Sequence, residues 1–347
     1  MTKRARPRVL ICEDSRTYAA ALQRVIEHDL KLDVVAVSRS AEEAIAAVSR
    51  LSPDIVTMDI ELPGMSGLEA VERIMSVVPV PILVLSGHVG PNSQASAAAL
   101  AAGALDAMPK QSVDLLNPGG ANAAAFRRRL TMMSGTRVIR HPRGRNRPGT
   151  RGVAVGTRPA RAIGVCSSMG GPHALRELLG ELPGSFPLPI LIAQHITTGF
   201  ADGLARWLDT SVAVSVRLAR GGELASAGVW LAPDDAHLQL QPDGILTLRA
   251  PSSGDRNVPS GDVLLKSLAK SLGRDAVSVV LTGMGRDGAE GSAAVGAAGG
   301  LTIAQDEATS VIYGMPRAAA ERGVDLVLPL TEIAAELCTL TVTGKAA

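Results

Sequence analysis

Three polar side chains in the C-terminal half have the types that a serine hydrolase divides its work among: Ser168 in Ser167-Ser168-Met-Gly-Gly-Pro172, His195 in Gln194-His195, and Asp287 in Thr282-Gly-Met-Gly-Arg-Asp-Gly288. A hydroxyl becomes a nucleophile when an imidazole takes its proton and a carboxylate holds that imidazole in one tautomer. A second group lies in the N-terminal half: Glu13, Asp14 and Asp59, with Ser86 and Lys110. Three carboxylates in one crevice repel each other unless a divalent cation neutralises them, and hard oxygen donors suit Mg²⁺. Such a cation would organise phosphate on Asp59. Lys110 would pair with the phosphoryl oxygens, and the Ser86 hydroxyl would turn towards them.

These groups can act only if the fold brings each set together, and the apolar patterning predicts that it does. Short apolar runs alternate with helix-period segments: 9–12 then 15–27, 34–37 then 41–49, 55–58 then 67–75, 82–85 then 92–101, and 107–108 then 121–132. Continuous apolar runs repeated in this way predict a parallel sheet covered by helices on both faces, a doubly wound α/β domain. Glu13 and Asp14 follow the first run, Asp59 the third and Lys110 the fifth, while Ser86 ends the fourth; strand C-termini are where such a sheet opens a crevice. The alternation resumes with a strand at 162–166, a helix at 173–182 and a strand at 188–193. Later come a strand at 228–232, a hairpin at 238–240 and 245–248, a helix at 263–272 and a strand at 277–281. This predicts a second α/β domain carrying a β insertion. Ser168, His195 and Asp287 again fall after strands. The expected boundaries are 1–132 for the first domain, 133–160 for a linker and 161–347 for the second.

Each residue has a plainer reading. An acid after a strand is often a helix cap, and Asp14 stands directly before Ser15. Ser167 rivals Ser168, but its place before the turn suits packing or a structural hydrogen bond. His173, five residues after Ser168, sits on a helix that leads away from the turn. His237, after Pro233-Asp-Asp, lines the crevice or faces solvent, and His28, His88 and His141 read as surface. Ser168 to Gly171 alone reads equally as a nucleophile elbow or as a Gly-rich phosphate cradle, although it lacks the Lys-Ser/Thr ending of a P-loop. The order Ser, His, Asp also differs from that of the usual α/β-hydrolases.

Composition narrows the classes. A chain of 347 residues that is 46% apolar can bury two cores. Three cysteines without metal-ligand spacing fit reduced thiols in the cytoplasm. No apolar run approaches the roughly 18 residues of a membrane span, so no direct membrane insertion is expected. Aromatic residues at 2% leave little surface for stacking on single-stranded nucleic acid, and no nucleic-acid partner is expected. Net charge is only +2, but residues 115–176 contain no acid while Arg127, Arg128, Arg129, Arg137, Arg140, Arg143, Arg145, Arg147, Arg151, Arg158 and Arg161 recur. This stretch, rich in Gly and Pro, reads first as a solvated tether and second as an attractor for acidic partners.

On these residues the chain resembles two known groups. Over 7–130 it is similar to the receiver domains of two-component response regulators, also through Leu62-Pro-Gly-Met-Ser-Gly67. That implies a flavodoxin-like receiver phosphorylated on Asp59 by a histidine kinase. One position departs: the aromatic usual three residues before the lysine is Ala107. Residues 161–343 resemble the catalytic domain of chemotaxis response-regulator protein-glutamate methylesterases, the CheB family. The likeness rests on Ser168-Met-Gly-Gly-Pro172, Gln194-His195, Gly199-Phe200, Ala232-Pro233, Pro259-Ser260, Leu281-Thr-Gly-Met-Gly-Arg-Asp-Gly288 and the long run from Thr302 to Arg317.

The resemblance implies a Rossmann-like methylesterase domain, with nucleophile Ser168, base His195, acid Asp287 and the backbone N–H of Met284 at the oxyanion. It implies hydrolysis of glutamate γ-methyl esters on the cytoplasmic helices of methylated chemoreceptors, and deamidation of glutamine there, with no cofactor in the esterase domain. The expected enzyme is a monomer in the bacterial cytoplasm, switched on when phosphate on Asp59 weakens docking of the receiver over the crevice. Two departures stand out: Cys166-Ser167 where the family has Gly-Ala, and Asn257-Val-Pro-Ser260 where it has His-Arg-Pro-Ser. Two other classes remain open on the same residues, a non-enzymatic adaptor and a receiver-regulated nucleotide-binding protein.

Overall fold

Val9, Leu10, Ile11 and Cys12 are all buried, as befits a strand covered on both faces. They belong to β1 (Arg8–Cys12), which lies inside a five-stranded sheet with β2 (Asp33–Ser38), β3 (Ile55–Asp59), β4 (Ile82–Ser86) and β5 (Asp106–Pro109). The order is β2-β1-β3-β4-β5 and every pair is parallel. This is the flavodoxin-like order, and its direction of winding reverses between β1 and β3, where a crevice opens. The helices Arg16–Glu27, Ala41–Leu51 and Gly67–Val77 begin at Ser15, Ser40 and Ser66, whose hydroxyls accept the N–H of Tyr18, Glu43 and Glu69. The cap of the first helix is thus Ser15 and not Asp14. Gly67 has to lack a side chain, because a Cβ there would stand 1.9 Å from the carbonyl oxygen of Asp59.

The protein, as a computed structural model, is described over residues 6–87, 98–100, 102–135 and 159–342. His88, His141, most of the helix expected at 92–101 and the arginines between 137 and 158 lie outside the described residues. Two compact units divide the chain at Arg145 and Asn146.

In the C-terminal unit β6 (Pro159–Ala160) pairs with β16 (Thr341–Val342) beside the main sheet. That sheet contains β7 (Ala162–Ser167), β8 (Pro189–Gln194), β9 (Val216–Leu218), β10 (Gly228–Leu231), β13 (Ala276–Val280), β14 (Leu301–Gln305) and β15 (Leu326–Leu328). Its order is β15-β14-β13-β7-β8-β10-β9, all parallel. The expected β insertion is the antiparallel hairpin of β11 (His237–Leu240) and β12 (Leu246–Arg249). Along β7 the side chains alternate between faces. Ile163 and Val165 join a core with Leu175, Leu179 and Ile333, whereas Ala162 and Cys166 join one with Leu264, Leu265 and Leu268. The chain extends first to one side of β7 and then to the other, so the winding reverses between β7 and β13. No described helix is long and apolar enough to cross a membrane.

Candidate functional site

Ser168 leaves the end of β7 with its N–H donating to the Thr282 carbonyl at 3.0 Å, and the Gly171 N–H closes back on the Ser168 carbonyl at 2.8 Å. The turn passes through Gly170 at φ +76°, where a Cβ would come within 2.6 Å of Val311. Gln194 ties this turn to the end of β8. Its Oε1 accepts the Ser167 hydroxyl at 2.6 Å, and its Nε2 donates to the carbonyls of Ser168 and His195 at 2.8 and 2.7 Å. The His195 N–H in turn donates to the Ser167 carbonyl at 2.9 Å. Ser167 is therefore a fully buried structural donor, and Ser168 and His195 stand side by side on neighbouring strand ends. His173 lies on the helix Gly171–Gly180 and bonds neither residue.

His195 meets Asp287 with Nε2 2.6 Å from Oδ2. The carboxylate also accepts the Ser260 hydroxyl at 2.9 Å and the N–H groups of Gly261 and Asp262 at 2.7 and 3.0 Å. Burial alone would push this acid up, but the bonds from His195 and from the 261–262 backbone outweigh it and hold the carboxyl at about 2. It is ionised at neutral pH. With Nε2 given to Asp287, Nδ1 is the ring nitrogen left for a proton from Ser168. The Ser168 hydroxyl and His195 are not hydrogen-bonded to each other here; such pairs often close only around substrate.

The loop after β13 runs past the serine: a Cβ on Gly283 would lie 2.8 Å from Ser168 Cβ. Gly283 is held by Ile312 through its N–H and by Gly314 and Met315 through its carbonyl. The next N–H, that of Met284, has no protein acceptor among the described residues. His237 neither faces solvent nor lines the crevice; it is fully buried, with Asp255 and Ser260 as partners.

At the other switch point Glu13, Asp14 and Asp59 bring one carboxylate oxygen each within 4.8 Å of one another. Lys110 Nζ stands 2.7 Å from both Glu13 Oε2 and Asp59 Oδ2. Burial pushes Glu13 and Asp59 up from the usual carboxylate range, and the Lys110 bonds only partly offset it. Burial alone would lower Lys110, but Asp59 and Glu13 hold its ammonium up. A donor set of three acids suits a hard divalent cation. Ser86 ends β4 and is buried. Tyr18, which the sequence did not mark, lies over Lys110, its ring centre 4.7 Å from Nζ and its hydroxyl donating to the Lys110 carbonyl at 3.2 Å.

Comparison with known proteins frames both sites. Residues 9–116 match the response regulator receiver domain, and residues 163–337 match the CheB methylesterase domain. The chain belongs to the CheB methylesterase family. A relative from Anaeromyxobacter dehalogenans, named protein-glutamate methylesterase/protein-glutamine glutaminase 2, is 43% identical over 340 residues, covering 96% of this chain and 97% of its own. One of the same name from Paramagnetospirillum magneticum is 40% identical over 358 residues, 99% of both chains. The solved catalytic domain of the Thermotoga maritima CheB methylesterase is 36% identical with a TM-score of 0.50, covering 51% of this chain and 97% of that one.

Within the CheB family the departures of this chain acquire physical content. Cys166 packs under the loop of the acid, where a Cβ on Gly288 would sit 2.2 Å from its Sγ and one on Gly261 2.6 Å from its Cβ. Burial pushes its thiol well up, so it is an inert packing group. The departing stretch Asn257-Val-Pro-Ser260 ends on a serine whose hydroxyl donates to Asp287. Ser260-Gly-Asp-Val carried the signature of a helix cap, and Ser260 does accept the Val263 N–H. That it also binds the acid had no sequence signal, nor did the place of Tyr18.

Proposed function

We propose that this chain is a phosphorylation-activated protein-glutamate methylesterase and protein-glutamine glutaminase acting on methylated chemoreceptors in the bacterial cytoplasm. The observation that carries the reading is the His195–Asp287 contact of 2.6 Å beside Ser168 on the adjoining strand end. Ser168 Oγ attacks the γ-ester carbonyl as His195 Nδ1 takes its proton, and Asp287 stabilises the imidazolium. The Met284 N–H, which has no acceptor among the described residues, donates to the developing oxyanion. Collapse of the tetrahedral intermediate breaks the carbonyl–methoxy bond, and His195 returns the proton so that methanol leaves. Water then attacks the acyl-Ser168, giving up a proton to His195, and His195 passes it to Ser168 Oγ as the acyl–oxygen bond breaks and glutamate is released. With a glutamine side chain the same steps release ammonia.

In the receiver, Glu13, Asp14 and Asp59 would hold Mg²⁺, which supplies positive charge for phosphate on Asp59. Lys110 and Ser86 contact the phosphoryl oxygens, and the donor is a histidine kinase. The segment 133–160 serves as a tether between a receiver at 1–132 and an esterase at 161–347, in a monomer. Ser168→Ala should lower methanol release from a methylated receptor by at least about 1,000-fold. Phosphorylation of Asp59 should persist in that variant. Release at the wild-type rate would refute the assignment.

A further inference from the structure

We propose that His237, at the start of β11, is a positioning residue for the catalytic acid: it fixes Ser260 and with it the helix terminus that grips Asp287. The proposal rests on the esterase reading above. Both ring nitrogens of the fully buried His237 are engaged, Nε2 with Asp255 Oδ2 at 3.1 Å and Nδ1 with the Ser260 N–H at 3.1 Å. A backbone N–H can only donate, so Nδ1 carries no proton and Nε2 carries one towards the carboxylate. Asp255 is held in turn by two Arg249 contacts of 3.1 Å and by the N–H and hydroxyl of Ser252 at 2.7 and 2.9 Å. These bonds, that of Arg249 first, keep its carboxyl well below the usual range. His237 and Arg249 are register partners across the β11–β12 hairpin, which adds no strand to the main sheet.

On the inner side every bond also has one possible direction. Ser260 Oγ accepts the Val263 N–H at 3.3 Å, so its own proton points to Asp287 Oδ1 at 2.9 Å. Gly261 and Asp262 supply two further N–H groups, so three of the four donors to Asp287 come from residues 260–262 and the fourth is His195. Loss of the acceptor on His237 would leave the buried Ser260 N–H unpaired, which favours a shift of Ser260. That shift would move all three donors together. A misplacement of about 1 Å at reacting groups can cost about 100-fold in rate.

The test uses the full chain and methanol release from a methylated receptor, with rates divided by the fraction of Ser168 labelled by a fluorophosphonate. His237→Leu removes both polar contacts, whereas His237→Asn keeps an acceptor where Nδ1 stood. The expected result is a kcat per labelled site lower by about 10- to 100-fold in His237→Leu, with KM within about twofold and most of the loss regained in His237→Asn. A merely structural role would lower the labelled fraction and leave kcat per site unchanged in both variants, and that outcome overturns the proposal. Equal loss in the two variants also overturns it. Should His237→Leu fail to fold, Asp255→Ala is read instead: a fall of about 3- to 10-fold in kcat supports the proposal and no change overturns it. Absence of both labelling and methanol release in the wild type would refute the esterase reading itself, a result distinct from any of these.

Discussion

At the C-terminal edge of the N-terminal sheet two of three clustered carboxylates, Glu13 and Asp59, share one lysine, whereas at the same edge of the C-terminal sheet one carboxylate receives four donors. Both places are switch points of doubly wound sheets, so topology supplies the crevice in each. The electrostatics are opposite. Burial leaves Glu13 and Asp59 raised, with Lys110 as their principal protein counter-charge, while the donors around Asp287 override its burial and hold it at about 2. On the proposed function, the first site takes a cation and a phosphate and is kept short of positive charge. The second holds a catalytic acid ionised and still, and it is over-supplied with donors.

The strongest test of this contrast is Asp287→Asn. The amide keeps one acceptor oxygen, enough for Ser260 and Asp262, but turns an N–H2 donor towards His195 and the Gly261 N–H, and kcat should fall by about 10⁴-fold. A loss below tenfold would mean that the fixed charge on Asp287 does not matter. The same variant tests stability. Because the folded carboxyl lies below its ordinary value of 3.8, its stabilising contribution is complete above that pH and is lost as pH falls towards 2. The wild type should therefore exceed Asp287→Asn by roughly 2 kcal/mol in denaturant unfolding near neutrality, with the gap closing between pH 3.8 and about 2. A gap that widens on acidification would contradict the lowered value.

At the receiver the expected effect is smaller and falls on regulation. Lys110→Ala removes the ammonium shared by Glu13 and Asp59. The ratio of methanol release with and without a small acyl phosphate donor should then drop about tenfold, the scale of one charge-assisted hydrogen bond. An unchanged ratio would show that Lys110 is only a resident counter-ion and takes no part once phosphate arrives.

How far each site was legible from sequence follows from the same contrast. The residues after each apolar run could be collected because a parallel sheet delivers strand ends to one edge, and the continuous burial of β7 between two cores left the strand readable as one apolar run. Glu13, Asp14, Asp59 and Lys110 are all such residues. The support of Asp287 was not legible, because it arrives from a helix cap at Ser260 and from His237 in a hairpin outside the sheet. Hydrogen bonds between loops distant in sequence leave no period to read. His237 carried a signal as a histidine after Pro233-Asp-Asp, but burial decides its role and a lone histidine does not announce burial. Gln194 is a similar case: its position at a strand end was visible, and the two bonds by which its side chain joins the ends of β7 and β8 were not.

The finest test concerns how the receiver site is joined to its surroundings. Ala107 is buried and offers no ring, but Tyr18, from the first helix, covers Lys110 and bonds its carbonyl. Burial pushes the Tyr18 hydroxyl up, so it remains a donor at neutral pH. If phosphate draws Lys110 towards itself, Tyr18 feels the movement in two ways, through its ring and through its hydroxyl. Tyr18→Phe keeps the ring and removes a single hydrogen bond worth about 1 kcal/mol, so the phosphorylation ratio should change by no more than about fivefold. Tyr18→Ala removes both contacts and should change it further. Two variants with the wild-type ratio would leave Lys110 coupled to Asp59 and Glu13 alone, and the route out of the receiver site would have to start from Ser86.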